Sequence, residues 1–112
     1  MPVMVMYKDK SVTDAASTDI MQALSAATRE LLDSASEIRV IEPLTARNAN
    51  IVHIEIRFRD FGDWPDKLLA DYHESLMARI KQVFETHHMR GQFSVYILPS
   101  LPPRSIWSQT KV

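Results

Sequence analysis

The sequence predicts an α/β (α+β) fold in which two consecutive βαβ units form a four-stranded sheet with both helices on one face. The first observation behind this prediction is a strictly alternating strand pattern in the middle of the chain. The second is a pair of helical apolar stripes, one before and one after that strand. The third is a short apolar segment before the first helix and another after the second helix. With a further short strand after the first helix, the order strand, helix, strand occurs twice.

The first unit covers roughly residues 2–43 and begins with a short apolar strand. Val3–Tyr7 is an uninterrupted apolar run, which is typical of a strand buried on both faces. Apolar residues recur at helical spacing over Ile20–Ala35, and Ser17 or Thr18 is the predicted N-cap of this helix. A second short strand completes the unit.

That second strand, Ile38–Ile41, stops before Pro43, and the second unit covers roughly residues 50–99. Its first strand gives the clearest signal in the chain, because Ile51–Arg59 alternates between apolar and polar side chains. A polar turn containing Gly62 precedes the next helix.

The second helix and the last strand complete the second unit. Pro65 suits the first turn of a helix, and apolar residues within Leu68–Phe84 supply its buried face. Gly91 follows the helix end, and Phe93–Leu98 forms the last strand. Prolines then end regular structure, which leaves a C-terminal tail over residues 100–112.

Composition predicts one globular domain over residues 1–112 that lies in the cytoplasm. Hydrophobic residues make up 46% of the chain, and the absence of cysteine excludes disulfides, thiolate catalysis and cysteine zinc sites. A formal net charge of −1 gives no reason to expect a nucleic-acid or membrane partner. No apolar run reaches the roughly 18 residues of a membrane span, and the start of the chain lacks signal-peptide features.

The predicted sheet leaves one face uncovered, because both helices lie on the other. Val3–Tyr7 and Phe93–Leu98 are apolar on both faces, and Trp107 stands in an otherwise polar tail. Exposed apolar surface of this kind indicates a partner subunit, so the sequence predicts a homo-oligomer.

Pro2 follows the initiator methionine and is the candidate general base. Proline is small enough for Met1 to be removed, which exposes a secondary amine at the start of a strand. An apolar pocket or a neighbouring cation disfavours the charged form of such an amine, and this suits it to proton transfer near neutral pH. Met-Pro is, however, also a common way for a protein to begin.

Arg39 is the candidate carboxylate ligand. It stands between apolar strand positions in the segment Ser36–Glu42. A guanidinium binds both oxygens of a carboxylate at once, which makes an arginine that faces a cleft suited to substrate binding. The alternative interpretation is a surface charge on a short strand.

The chain resembles the tautomerase superfamily, which includes 4-oxalocrotonate tautomerase and 5-carboxymethyl-2-hydroxymuconate isomerase. The resemblance rests on the start at Met1 and Pro2, on the segment around Arg39, and on Ile51–Ile56 with the helix after it. It implies a tautomerase-like fold, assembly as trimers, and a proline that acts as general base or acid without a cofactor.

The resemblance also implies the composition of the site. Pro2 would transfer a proton within a small 2-oxo or 2-hydroxy acid while Arg39 holds the carboxylate of this substrate. These enzymes commonly have a second arginine shortly after the first strand. Lys10 takes that place after a one-residue gap, and a lysine can neutralise a carboxylate without the planar fork of arginine.

Two alternatives stay open at this point. In the first, the same site keeps Pro2 protonated, and the proline serves as an acid in hydration, dehalogenation or decarboxylation. In the second, the chain is a ferredoxin-like oligomer that binds ligands or partners without chemistry, and Arg39 serves packing. The four histidines lack the spacing of paired metal ligands, so the sequence predicts no metal site.

Overall fold

The structure, a computed structural model, describes residues 2–42, 50–58 and 65–98 together with the backbone of 106–111. Seven elements follow one another in this part of the chain. They are β1 (Pro2–Lys8), α1 (Asp14–Leu32), β2 (Glu37–Ile41), β3 (Asn50–Phe58), α2 (Asp66–Thr86), β4 (Gln92–Leu98) and β5 (Ile106–Lys111). Features predicted at Pro43, Arg59 and Gly62, and the side chain of Trp107, lie outside the described residues.

The four predicted strands form one mixed sheet in the order β2-β1-β3-β4, and β5 extends this sheet beside β4. Within each βαβ unit the two strands pair in parallel, β1 with β2 and β3 with β4. The two units meet at the centre, where β1 and β3 pair antiparallel. The predicted fold class is therefore confirmed.

The strand β5 is a difference from the prediction, which places no regular structure after the prolines that follow β4. Ile106–Lys111 pairs antiparallel with β4, from Ile97 opposite Ile106 to Gln92 opposite Lys111. A proline interrupts one strand but does not prevent the chain from pairing again a few residues later. The segment also contains isoleucine, tryptophan and threonine, which favour strands.

The core lies between the helices and one face of the sheet. Alternate residues of the central strands point into it, and Met4, Met6, Ile54 and Ile56 are fully buried. The two helices contribute Ile20, Leu24, Tyr72, Leu76, Ile80 and Phe84, which are also fully buried. On the other face the residues of β1 are only half-buried, so this strand is not buried on both faces in a single copy as predicted.

Helix α1 begins earlier than predicted, and neither Ser17 nor Thr18 is its N-cap. Thr13 is the N-cap, because its side-chain oxygen accepts a hydrogen bond from the Ala16 N–H at 3.2 Å. Two alanines in the first turn favour the helix, and this allows it to start within a stretch that has no apolar periodicity. The helix ends where Asp33 adopts a left-handed φ of 49°.

Candidate active site

Pro2 begins β1 and is buried on the helix-covered face of the sheet. It lies opposite Phe58 of β3 in the antiparallel ladder, and Phe58 is only 4% exposed. The Phe58 ring contacts Tyr72 of α2 edge to face, with the ring centroids 6.2 Å apart. The ladder partner of Pro2 therefore belongs to a buried aromatic pair on this side of the sheet.

Tyr72 brings no charge to this region at neutral pH. Burial raises the pKa of its phenol to about 12, against the weaker effect of a hydrogen bond with Thr28. The Thr28 hydroxyl donates to the Leu24 carbonyl at 2.8 Å, so in its 2.8 Å contact with Tyr72 it accepts the phenol proton. The phenol stays neutral and links the two helices.

Arg39 lies on the uncovered face of the sheet, at the β2 edge. It is opposite Val5 of β1, its side chain is 73% exposed, and its guanidinium is 3.6 Å from the Glu37 carboxylate. The register of β1 with β2 places it three residues along the strand from Pro2, which corresponds to about 10 Å. Since the two residues also lie on opposite faces, one copy of the chain does not bring them together.

Lys10 lies in the exposed turn after β1, at the other end of this strand from Pro2. Six residue-to-residue steps of extended chain separate Pro2 from Lys8, the last residue of β1, which corresponds to about 20 Å. The described part of one chain thus holds the three predicted site residues in three separate places. A site that contains all three needs side chains from more than one copy.

Lys8 is a buried cation that the polar character of this stretch does not indicate. Its side chain is 7% exposed, and its Nζ donates to the Val12 carbonyl at 3.2 Å. The same Nζ is 3.4 Å from a carboxylate oxygen of Asp14 and 3.4 Å from one of Glu42. The strand period could have revealed it, because alternate residues of β1 face the helices and Lys8 continues that series.

A second cluster lies at the centre of the uncovered face. His53 of β3 stands between Tyr7 and Tyr96, with ring centroids 5.8 and 4.9 Å from its own. Its Nδ1 is 2.6 Å from the Ser94 hydroxyl, and its Nε2 is 3.7 Å from the Glu55 carboxylate. The cluster joins three adjacent strands and combines aromatic rings with satisfied polar groups, a composition typical of subunit contacts.

His87 and His88 lie at the C-terminal end of α2, apart from this cluster. The His87 Nε2 is 2.6 Å from an Asp19 carboxylate oxygen, whereas the adjacent His88 is exposed with a φ of 54°. Within the ranges that the structure describes, no three histidine, aspartate or glutamate side chains are grouped as metal ligands. No helix within those same ranges is long and apolar enough to cross a membrane.

The described fold consists of two βαβ units that meet through an antiparallel central pair. Comparison with solved structures confirms the predicted resemblance to the tautomerase superfamily at the level of the fold.

Solved structures provide the evidence. A fused 4-OT in an asymmetric trimer matches with a TM-score of 0.62 and 13% identity, over 87% of this chain and 86% of that one. MIF2 from Leishmania major matches at 0.55 and 10% identity, over 95% of this chain and 97% of that one. A macrophage migration inhibitory factor-like protein from Entamoeba histolytica matches at 0.52 and 14% identity, over 76% and 74% of the two chains. No protein-family model and no curated protein matches the sequence.

Proposed function

We propose that this protein is a tautomerase that transfers a proton between the enol and keto forms of a small 2-oxo or 2-hydroxy acid. The position of Pro2 carries the proposal, because this residue begins a central, buried strand of a tautomerase fold opposite Phe58. Removal of Met1 converts the ring nitrogen from an amide into a secondary amine. Apolar surroundings favour the uncharged form of this amine, which can then accept a proton near neutral pH.

The substrate carboxylate is held by Arg39 and Lys10 from neighbouring copies. Several solved relatives are described as trimers, among them a fused 4-OT symmetric trimer. The uncovered sheet face and the β2 edge, where Val40 and Ile41 are 40% and 44% exposed, offer apolar surface to a neighbour. The proposal requires an assembly in which the exposed Arg39 guanidinium of one copy reaches the Pro2 amine of another.

The proton transfer needs no cofactor. The Pro2 amine takes the enol hydroxyl proton, the carbonyl forms as electrons move towards carbon, and the protonated amine returns a proton to that carbon. Negative charge develops on the conjugated oxygen atoms during this step, and a fixed guanidinium beside the carboxylate stabilises it. Arginine suits this role because its planar fork binds both carboxylate oxygens.

The state of the N-terminus tests the proposal. We expect the intact mass to lack Met1, and the protein to accelerate the ketonisation of phenylenolpyruvate. A variant with one alanine inserted between Met1 and Pro2 keeps the proline ring but leaves its nitrogen as an amide. We expect this variant to lose at least about 100-fold in rate, the lower end of general acid–base catalysis. The same insertion after Val112 is the control, and equal rates for the two variants would refute a role for the amine.

Arg39→Met should raise the KM for phenylenolpyruvate by about 10- to 100-fold, because a charge-assisted bidentate contact is lost. The side chain is 73% exposed, so the fold should be unaffected. Arg29→Met, at an exposed position of α1, is the matched control and should leave the KM unchanged. If both variants have the wild-type KM, Arg39 does not contact the substrate.

A further inference from the structure

Lys8 joins three segments of the chain at one ammonium group. It is the last residue of β1, and its side chain is 7% exposed beneath the helices. Its partners are the Val12 carbonyl in the turn after β1, the Asp14 carboxylate in the first turn of α1, and the Glu42 carboxylate directly after β2. A lysine ammonium is rarely buried unless such partners compensate the loss of water.

The turn that carries Lys10 is held at both of its ends. At the first end, Asp9 donates its backbone N–H to the Ile51 carbonyl of β3 at 2.8 Å. The Asp9 carboxylate accepts hydrogen bonds from the Ser11 N–H and hydroxyl at 3.1 and 2.6 Å, and these bonds lower the pKa of Asp9. At the second end, Val12 is 2% exposed, and its carbonyl accepts from Lys8. The turn is therefore a fixed platform with an exposed lysine at its tip.

The same ammonium also holds the strand that carries Arg39. In the structure β2 is the outermost strand on its side of the sheet, where it pairs only with β1. The last ladder pair of β1 and β2 is Tyr7 with Ile41, and the next residues, Lys8 and Glu42, form an ion pair. This contact holds the residue directly after β2, three positions beyond Arg39.

Packing alone does not explain a lysine at this position. A methionine would fill the buried space with a similar aliphatic chain and would need no polar partners. The carboxylates do not need Lys8 either, because the Asp14 side chain is fully exposed and the Glu42 side chain is 44% exposed. The feature specific to a lysine is that one cation connects the turn, the helix start and the strand end.

We propose that Lys8 is a positioning residue that fixes the two cationic substrate ligands, Lys10 and Arg39, relative to the sheet. This inference rests on the proposed function, in which these two side chains hold the substrate carboxylate. Lys8 itself does not contact the substrate. It fixes the turn and the strand end from which the two ligands project.

Lys8→Met tests the inference through the division of its effect between KM and kcat. We expect the KM for phenylenolpyruvate to rise about 5- to 20-fold, the equivalent of one or two hydrogen bonds, while kcat stays within about twofold of wild type. Lys8→Arg should restore most of the affinity, because it restores the cation. Lys67→Met is the matched control, since Lys67 is an 89% exposed lysine of α2 paired with Asp71. This control should leave both constants unchanged.

Two further measurements separate the possible failures. Glu42→Gln removes one charged partner of Lys8 and keeps the volume of a side chain that is 44% exposed, so a rise of its KM in the same direction supports the inference. Hydrogen–deuterium exchange of Lys8→Met should show faster exchange at Ser11, Val12 and the amides of β2, with α2 unchanged. Unaltered KM values in Lys8→Met and Glu42→Gln, in an active protein, overturn the inference. An inactive wild-type protein overturns the proposed function instead. In that case hydrogen–deuterium exchange still tests Lys8, and unaltered exchange in Lys8→Met would show that Lys8 does not fix the turn.

Discussion

Pro2→Ala is expected to lower kcat/KM for the ketonisation of phenylenolpyruvate by about 10²–10⁴-fold, the usual contribution of a positioned general acid or base. Alanine still offers an amine once Met1 is removed, but this amine is primary and its torsion is free. The proline ring prevents free rotation about the N–Cα bond, so that its lone pair has a restricted direction at the start of β1. The loss should appear mainly in kcat, because the carboxylate ligands are unchanged.

Val3→Ala is the matched control for this substitution. Val3 is the next residue of β1, and it lies on the uncovered face away from Phe58. We expect it to retain kcat, with the fold of both variants confirmed by circular dichroism. A Pro2→Ala protein that folds and has the wild-type kcat would exclude proline as the base.

Phe84→Ala is expected to lower the free energy of unfolding by about 3–5 kcal/mol, the usual cost of a phenylalanine removed from a closed core. Phe84 of α2 is fully buried, and its ring centroid is 5.0 Å from that of Phe93 on β4. The substitution leaves a cavity between helix and sheet that rigid strands cannot fill. Urea denaturation measures the difference in the free energy of unfolding. Both proteins are compared at the same concentration, because the apparent stability of an oligomer depends on protein concentration.

Glu85→Ala provides the comparison for this core substitution. Glu85 is the neighbouring residue and is exposed, so Glu85→Ala should change the free energy of unfolding by no more than about 0.5 kcal/mol. A Phe84→Ala variant with a similarly small change would mean that the interface between α2 and β4 contributes little to stability.

The strand β3 could be predicted because its local pattern and its long-range environment agree. Val52, Ile54, Ile56 and Phe58 alternate with polar residues in the sequence, and all four are buried in the structure. The start of α1 was predicted less accurately than β3, because Thr13 acts through a single hydrogen bond that leaves no periodic signal in the sequence. Boundaries that depend on one side-chain contact are set by geometry rather than by composition.

The candidate site was harder to predict than the fold. The strand context of Arg39 is local and could be recognised, but the face on which it lies depends on the register of β1 with β2. That register is a contact between segments more than 30 residues apart in the sequence. The alternation of β1 indicates that Lys8 faces the helices, but its partners Asp14 and Glu42 are identified only when α1 and β2 are in place.

The antiparallel pairing of β1 and β3 relates the two βαβ units by an approximate twofold axis. The two strands therefore occupy equivalent positions, yet their first residues differ in kind. Pro2 can become a chain terminus, whereas Asn50 is joined to residues on both sides and carries only amide nitrogen. Only one of the two equivalent strand starts can therefore offer an amine nitrogen, although the βαβ architecture occurs twice in the described part of the chain.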